Sequence, residues 1–197
     1  MTASDATPAP IVWRPTLETA HDTTGTLAKA ADAAALLVAE MGARLTPRWL
    51  TLAGTRGSGK TMLARQIMEQ AEAINPGAAS LWMGPARRPR CVWYDETAFA
   101  REAQEWARLP EYLAGDYLVV IDDLGTARDR WDQVADALYR LANARLGRWT
   151  VWTTNLTHAE IETKIDARLA SRLIRDRNQA VRITAPDYAL RNRKITA

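Results

Sequence analysis

The eight residues Gly54-Thr55-Arg56-Gly57-Ser58-Gly59-Lys60-Thr61 match the pattern G-x-x-x-x-G-K-[ST], and no other stretch limits the possible folds as much. Their surroundings fit the pattern. The short apolar run Trp49 to Ala53 reads as a buried strand, and a helical pattern runs from Lys60 to about Ile74, where Asn75-Pro76-Gly77 breaks it. In a strand–loop–helix unit of this kind, successive backbone N–H groups and the positive end of the helix dipole face one point. That is a cradle for phosphate groups. Lys60 is expected to reach the β- and γ-phosphates of a bound nucleotide, the Thr61 hydroxyl to hold Mg²⁺, and the whole segment from Gly54 to Met62 to line the nucleotide. A glycine-rich turn that binds nothing is the competing reading.

Four further apolar runs follow: Cys91 to Tyr94, Tyr117 to Ile121, Trp149 to Thr153 and Val181 to Thr184, with helical patterns between most of them. Strands alternating with helices imply an α/β fold, a parallel sheet covered on both faces. Ahead of the loop, Leu27, Ala30, Ala31, Ala34, Leu37, Val38 and Met41 follow helical spacing over Thr26 to Met41, and Gly42 offers a stop. Residues 1 to about 20 are rich in Thr, Ala and Pro with no apolar period and read as a mobile tail or a surface strap. The expected organisation is a flexible N-terminal segment over 1–25 and one nucleotide-binding domain over 26–197. A chain of 197 residues with 47% hydrophobic and 25% charged residues is neither wholly disordered nor fibrous.

The single cysteine, Cys91, excludes a disulfide framework and a cysteine-based zinc site. The longest apolar stretch, Ala33 to Ala39, is too short for a membrane span, and no export signal is visible, so a cytoplasmic protein is expected. A net charge of +3 confines any nucleic-acid surface to a local patch. Apart from Lys29, Lys60, Lys164 and Lys194 every basic side chain is arginine, which suits phosphate forks and equally suits a GC-rich coding sequence.

Leu118-Val119-Val120-Ile121-Asp122-Asp123 is an apolar strand ending in two carboxylates. Asp122 is expected beside Mg²⁺, and Asp123 is expected to orient or deprotonate the attacking water. Asp is one methylene shorter than Glu, which predicts slow hydrolysis. The alternative is a simple turn before Leu124-Gly125. Another strand ends in Thr153-Thr154-Asn155, where Asn155 either senses the γ-phosphate or helps the turn ahead of Thr157 and Glu160, which form a capping box. His158, in the first turn of that helix, reads as a solvated surface residue, and His21 carries no chemistry.

Lys164, Arg168 and Arg172 recur at i, i+4 and i+8, which on one helix would form a cationic stripe opposite Ile161, Ile165, Leu169 and Leu173. Such a stripe is either a solvated face or the source of an arginine that enters a neighbouring subunit's nucleotide site. The stretch Ser80 to Arg90, with Trp82, Arg87 and Arg88, is either a solvated loop or a surface for single-stranded DNA. Trp49, Trp93, Trp149 and Trp152 are expected in the core, and Trp106 and Trp131 on helices at apolar positions.

In this order the residues resemble the AAA+ ATPases, and within them the DnaC/IstB-type group of helicase loaders and transposition ATPases. The resemblance runs from about Trp49 to Arg193. It rests on the phosphate loop, Asp122-Asp123-Leu124-Gly125, the helix Trp131 to Leu146, Thr153-Thr154-Asn155-Leu156, and Asp166-Ala167-Arg168-Leu169-Ala170-Ser171-Arg172-Leu173. The close from Pro186-Asp187-Tyr188 through Arg191 is a weaker part. What the resemblance implies is a five-stranded AAA+ sheet with a minimal or absent lid, ATP as nucleotide, Arg172 as a finger acting in trans, and Arg168 beside it at the same interface. It also implies a homo-oligomer on ATP binding, a replicative helicase as partner, and single-stranded DNA. An IstB-like transposition helper, a P-loop kinase of a small metabolite, and a module that holds ATP without turning it over are the other functional readings.

Overall fold

The computed structural model describes residues 13–19, 22–75, 90–126 and 133–188. Five strands form one parallel sheet: β1 (Trp49–Gly54), β2 (Cys91–Asp95), β3 (Leu118–Leu124), β4 (Trp149–Thr154) and β5 (Gln179–Ile183), in the order β2-β3-β4-β1-β5. Parallel strands need crossovers, and helices supply them. α1 (Thr26–Gly42) precedes β1, and the crossovers are α2 (Lys60–Ile74), α3 (Glu96–Glu105), α4 (Leu109–Leu113), α5 (Gln133–Ala144), α6 (His158–Lys164) and α7 (Ala167–Leu173).

Helices on both faces explain why the central strands are buried along nearly their whole length rather than at alternate positions. β4 is buried at every position, and β3 at all but Asp123. Successive strand residues point to opposite sides, so Leu118 and Val120 join Leu50, Leu52 and Val151 beneath α1 and α2. Val119 and Ile121 instead join Trp152, Phe99, Leu138, Leu169 and Leu173 beneath α3, α5 and α7.

Trp49, Trp149 and Trp152 lie in the core as expected. Trp93 is half-buried on the edge strand β2, with the Arg65 guanidinium 5.8 Å from its ring centroid. Trp106 departs from its reading: it caps the C-terminus of α3, 43% exposed, and packs on Tyr112 with ring centroids 4.7 Å apart. Trp131, His21 and the stretch 80–89 lie outside the described residues.

Beneath the sheet's other end, the wholly buried Arg145 gathers the backbone at the starts of β3 and β4. It donates to the carbonyls of Leu113, Ala114, Asp116, Tyr117 and Trp149 and to the Thr150 hydroxyl.

The cationic stripe is corrected by the structure. Lys164, Arg168 and Arg172 do not share a helix, because α6 ends at Lys164, Ile165 leaves helical geometry (φ −118°, ψ −80°), and Asp166 starts α7 as a new N-cap. The Asp166 carboxylate accepts from the backbone N–H groups of Arg168 and Leu169, which supplies α7 with its own start. Lys164 pairs within its own helix with Glu160 at 2.8 Å. His158 is exposed as expected, and its Nε2 lies 3.0 Å from the Ala170 carbonyl, tying α6 to α7.

Residues 13–19, read as part of the tail, lie along α1 and α2. Trp13 and Leu17 pack against the core, Arg14 pairs with Asp32 at 2.8 Å, and the Gln66 amide exchanges two hydrogen bonds with the Thr16 backbone.

Candidate functional site

The loop between β1 and α2 takes its shape from glycines. A Cβ on Gly54 would lie 2.2 Å from the Ile183 carbonyl oxygen, so the neighbouring strand excludes any larger residue. Gly57 has φ +72°, and its missing Cβ leaves room for the Asp187 carboxylate, which would sit 2.0 Å from that atom. Ser58 Oγ is buried without a hydrogen-bond partner among the described residues, an unused polar group inside a phosphate-type loop.

Lys60, 4% exposed, folds back over the loop and donates to the Thr55 carbonyl at 2.7 Å and to Asn155 Oδ1 at 2.9 Å. Burial lowers its pKa, and the charges of Asp123 and Asp122 oppose that shift. Thr61 Oγ1 lies 3.1 and 3.2 Å from the two Asp122 carboxylate oxygens. The loop, the acidic end of β3 and the polar end of β4 thus meet at the C-terminal edge of the sheet, where open α/β sheets take ligands.

The β3 end is irregular. Its register with β4 shifts between Ile121 and Leu124, and Asp123 has φ +58°, in the left-handed region. One hydroxyl settles this bend: Thr153 Oγ1 accepts from the Asp123 N–H at 2.9 Å and donates to Asp122. The Thr154 hydroxyl then donates to the Leu124 carbonyl at 2.7 Å. As a result Asp122 is 7% exposed and fixed, while Asp123 faces open space.

That space is a cavity of about 310 Å³ lined by Arg56, Gly57, Gly59, Lys60, Thr61, Met62, Asp123, Asn155, Asp187 and Tyr188. A second cavity of about 180 Å³ adjoins it at Gly59, Met62 and Tyr188, and Leu17 and Leu27 make it largely apolar. The pair suits a ligand with an anionic and a flat apolar part. The sequence reading missed Leu17, Glu18, Asp187 and Tyr188 as site residues. The Tyr188 N–H donates to the Gly57 carbonyl at 3.0 Å, and its hydroxyl donates to Glu18 at 2.6 Å, so the segments before α1 and after β5 clasp over the loop. Only the short run Pro186-Asp187-Tyr188 hinted at this.

Arg168 and Arg172 do not line either cavity. Both guanidiniums lie over the Tyr139 ring on α5, which the sequence had not singled out. Among the described residues no group of three His, Cys, Asp or Glu side chains could hold a metal alone. Thr61 and Asp122 offer hard oxygen donors of the kind Mg²⁺ takes when a ligand's phosphate oxygens complete the shell. No helix of the described residues is long and apolar enough to cross a membrane.

Neither a protein-family profile nor a curated protein sequence matches the chain. Solved structures do. A DnaC helicase loader superposes with a TM-score of 0.58 at 16% identity, over 79% of this chain and 90% of that one. A DnaI structure gives 0.60 at 20% identity, over 80% and 84%. The replication initiator DnaA bound to AMPPCP and single-stranded DNA gives 0.61 at 15% identity, over 79% of this chain and 45% of its own, so the chain spans about half that initiator's length. With a five-stranded parallel sheet between helices and a phosphate loop leading into α2, the chain has the fold of the P-loop AAA+ proteins.

Proposed function

We propose that this chain is an ATP-hydrolysing protein of DNA replication that assembles with copies of itself on ATP and delivers or remodels a replicative helicase on single-stranded DNA. The observation that carries the reading is the convergence of Lys60, Thr61, Asp123 and Asn155 on one cavity at the sheet's C-terminal edge, with Asp122 held against the Thr61 hydroxyl. The likeness to DnaC and DnaI supports the loader part, and that to DnaA with single-stranded DNA supports the nucleic-acid part.

In this reading the loop from Gly54 to Gly59 wraps the phosphates with backbone N–H groups, and Met62 and Tyr188 border the base. Lys60 leaves the Thr55 carbonyl and Asn155 for the phosphate oxygens, which repay its desolvation with opposite charge. Thr61 and Asp122 hold Mg²⁺, which when bound neutralises charge on the phosphates. Asp123 orients or deprotonates water, and Asn155, released by Lys60, is free to report the γ-phosphate. Arg172, with Arg168 beside it, serves a neighbouring copy's site.

The test is phosphate release from ATP by the purified chain, alone and with DNA, together with Lys60→Ala and Asp123→Asn. Turnover lost in both variants, with nucleotide binding kept in Asp123→Asn, supports the ATPase. A wild type that binds Mg·ATP but releases nothing sinks the hydrolysis, and one that transfers phosphate to a small metabolite makes it a kinase. Capture of a transposase rather than a replicative helicase would replace the loader by a transposition helper.

A further inference from the structure

We propose that Tyr139 is a positioning residue for Arg172, fixing the direction in which that guanidinium leaves the surface toward a neighbouring copy. The proposal rests on the reading of Arg172 as a finger acting in trans.

Tyr139 projects from α5 one position after Leu138, which is buried in the cluster that also anchors Leu169 and Leu173 of α7. The two helices are therefore locked together by their apolar faces, and Tyr139 meets α7 just outside that contact. The Arg168 guanidinium carbon lies 4.0 Å from the Tyr139 ring centroid, and that of Arg172 lies 4.5 Å away. Arg172 Nη2 donates to the Tyr139 hydroxyl at 3.1 Å, and Nη1 donates to the Arg168 carbonyl at 3.1 Å.

The two arginines differ in charge balance. Arg168 is neutralised by Asp166 at 2.8 Å and also feels Asp136. Arg172 forms no ion pair among the described residues, so its charge is fixed in place by a ring, a phenol and a carbonyl, all uncharged. A carboxylate partner would have to be given up before the arginine served a phosphate elsewhere. A ring and two neutral acceptors hold direction while leaving the charge unspent. The phenol is itself polarised toward its anion: a hydrogen bond from Asn143, and then Arg172, lower the Tyr139 pKa. An arginine finger works only when it arrives with correct geometry, and a displacement of about 1 Å at a catalytic group can cost about 100-fold in rate.

The alternative is that Tyr139 only packs α7. Mixed assemblies separate the two. Asp123→Asn chains bind ATP without turning it over and keep the finger, and Arg172→Ala chains keep the nucleotide site but lack the finger. Mixing them is expected to recover turnover. Adding Tyr139→Leu to the Asp123→Asn partner is expected to lower the recovered rate about 10- to 100-fold, and Tyr139→Phe, which keeps the ring but loses the hydroxyl that accepts from Arg172, to fall between Tyr139→Leu and the parent mixture. Adding Tyr139→Leu to the Arg172→Ala partner is expected to change little, because that chain has no guanidinium to direct. Equal loss from either placement, or loss from neither, overturns the proposal. No recovery in the parent mixture overturns the trans role of Arg172 itself, a separate and recognisable result.

Discussion

The hydroxyl of Thr153 donates to Asp122 Oδ1 at 2.5 Å across the β3–β4 ladder, and Thr153 Oγ1 in turn accepts the Asp123 N–H. A threonine one strand away therefore aims the carboxylate proposed to hold the cation. Thr153→Val keeps the shape, removes the donor and leaves the Asp123 N–H unpaired, which costs about 1–3 kcal/mol of stability. Loss of an orienting partner of this kind typically weakens a metal site about 10- to 100-fold. Titrating Mg²⁺ against nucleotide binding checks it: Thr153→Ser should behave as wild type, and an unchanged requirement in Thr153→Val would refute the role.

Asp123 occupies left-handed backbone, φ +58°, that Asn and Asp tolerate better than other side chains. Asp123→Asn should accordingly melt with the wild type while losing turnover. Asp123→Glu should lose about 1 kcal/mol of stability and hydrolyse faster, because the longer side chain reaches further into the cavity. Thermal denaturation alongside a phosphate-release assay reads both, and a Glu variant no faster than wild type removes the explanation for slow turnover.

Arg145 satisfies five backbone carbonyls and a hydroxyl in a fully buried position. Lysine has three donors on one nitrogen and cannot cover that set, so each abandoned carbonyl costs about 1–3 kcal/mol. Arg145→Lys should lower stability by more than about 3 kcal/mol in denaturant melts. A loss below about 1 kcal/mol would show the network to be slack.

Glu160 carries an acid-range prediction. Its hydrogen bond from Lys164, and then those from the Thr157 backbone and hydroxyl, hold the carboxyl down to about 2 against an ordinary 4.5. The folded value is depressed, so the contribution of this cap is complete above about 4.5 and disappears as the pH falls through about 2. Carboxyl-carbon NMR titration should place its midpoint well below that of an exposed glutamate, and Lys164→Ala should raise it. A midpoint near 4.5 in the intact protein would show the capping box to be open in solution.

The parts of this molecule that could be read from sequence share one property: local pattern determines them. The phosphate loop, the five apolar runs and the Thr157–Glu160 box each lie within a short window, and each has its expected form. The break at Ile165–Asp166 escaped because the spacing of Ile161, Ile165, Leu169 and Leu173 satisfies one helix as well as two. Asp166 was the available sign, since a carboxylate two and three residues ahead of backbone donors is an N-cap. Tyr139 beneath the arginines and the Glu18–Tyr188 clasp depend on chain separations of 33 and 170 residues, beyond the reach of any periodicity.

The strand order carries a last consequence. β4 lies between β1, which bears the phosphate loop, and β3, which bears the acids. Neighbouring strands stand about 4.8 Å apart, so the spacing between the strand that feeds the phosphate loop and the strand that bears the acids is set at two ladder steps by main-chain hydrogen bonds. The sheet is the ruler of this cleft: mutation can change what reaches across it, but not its width.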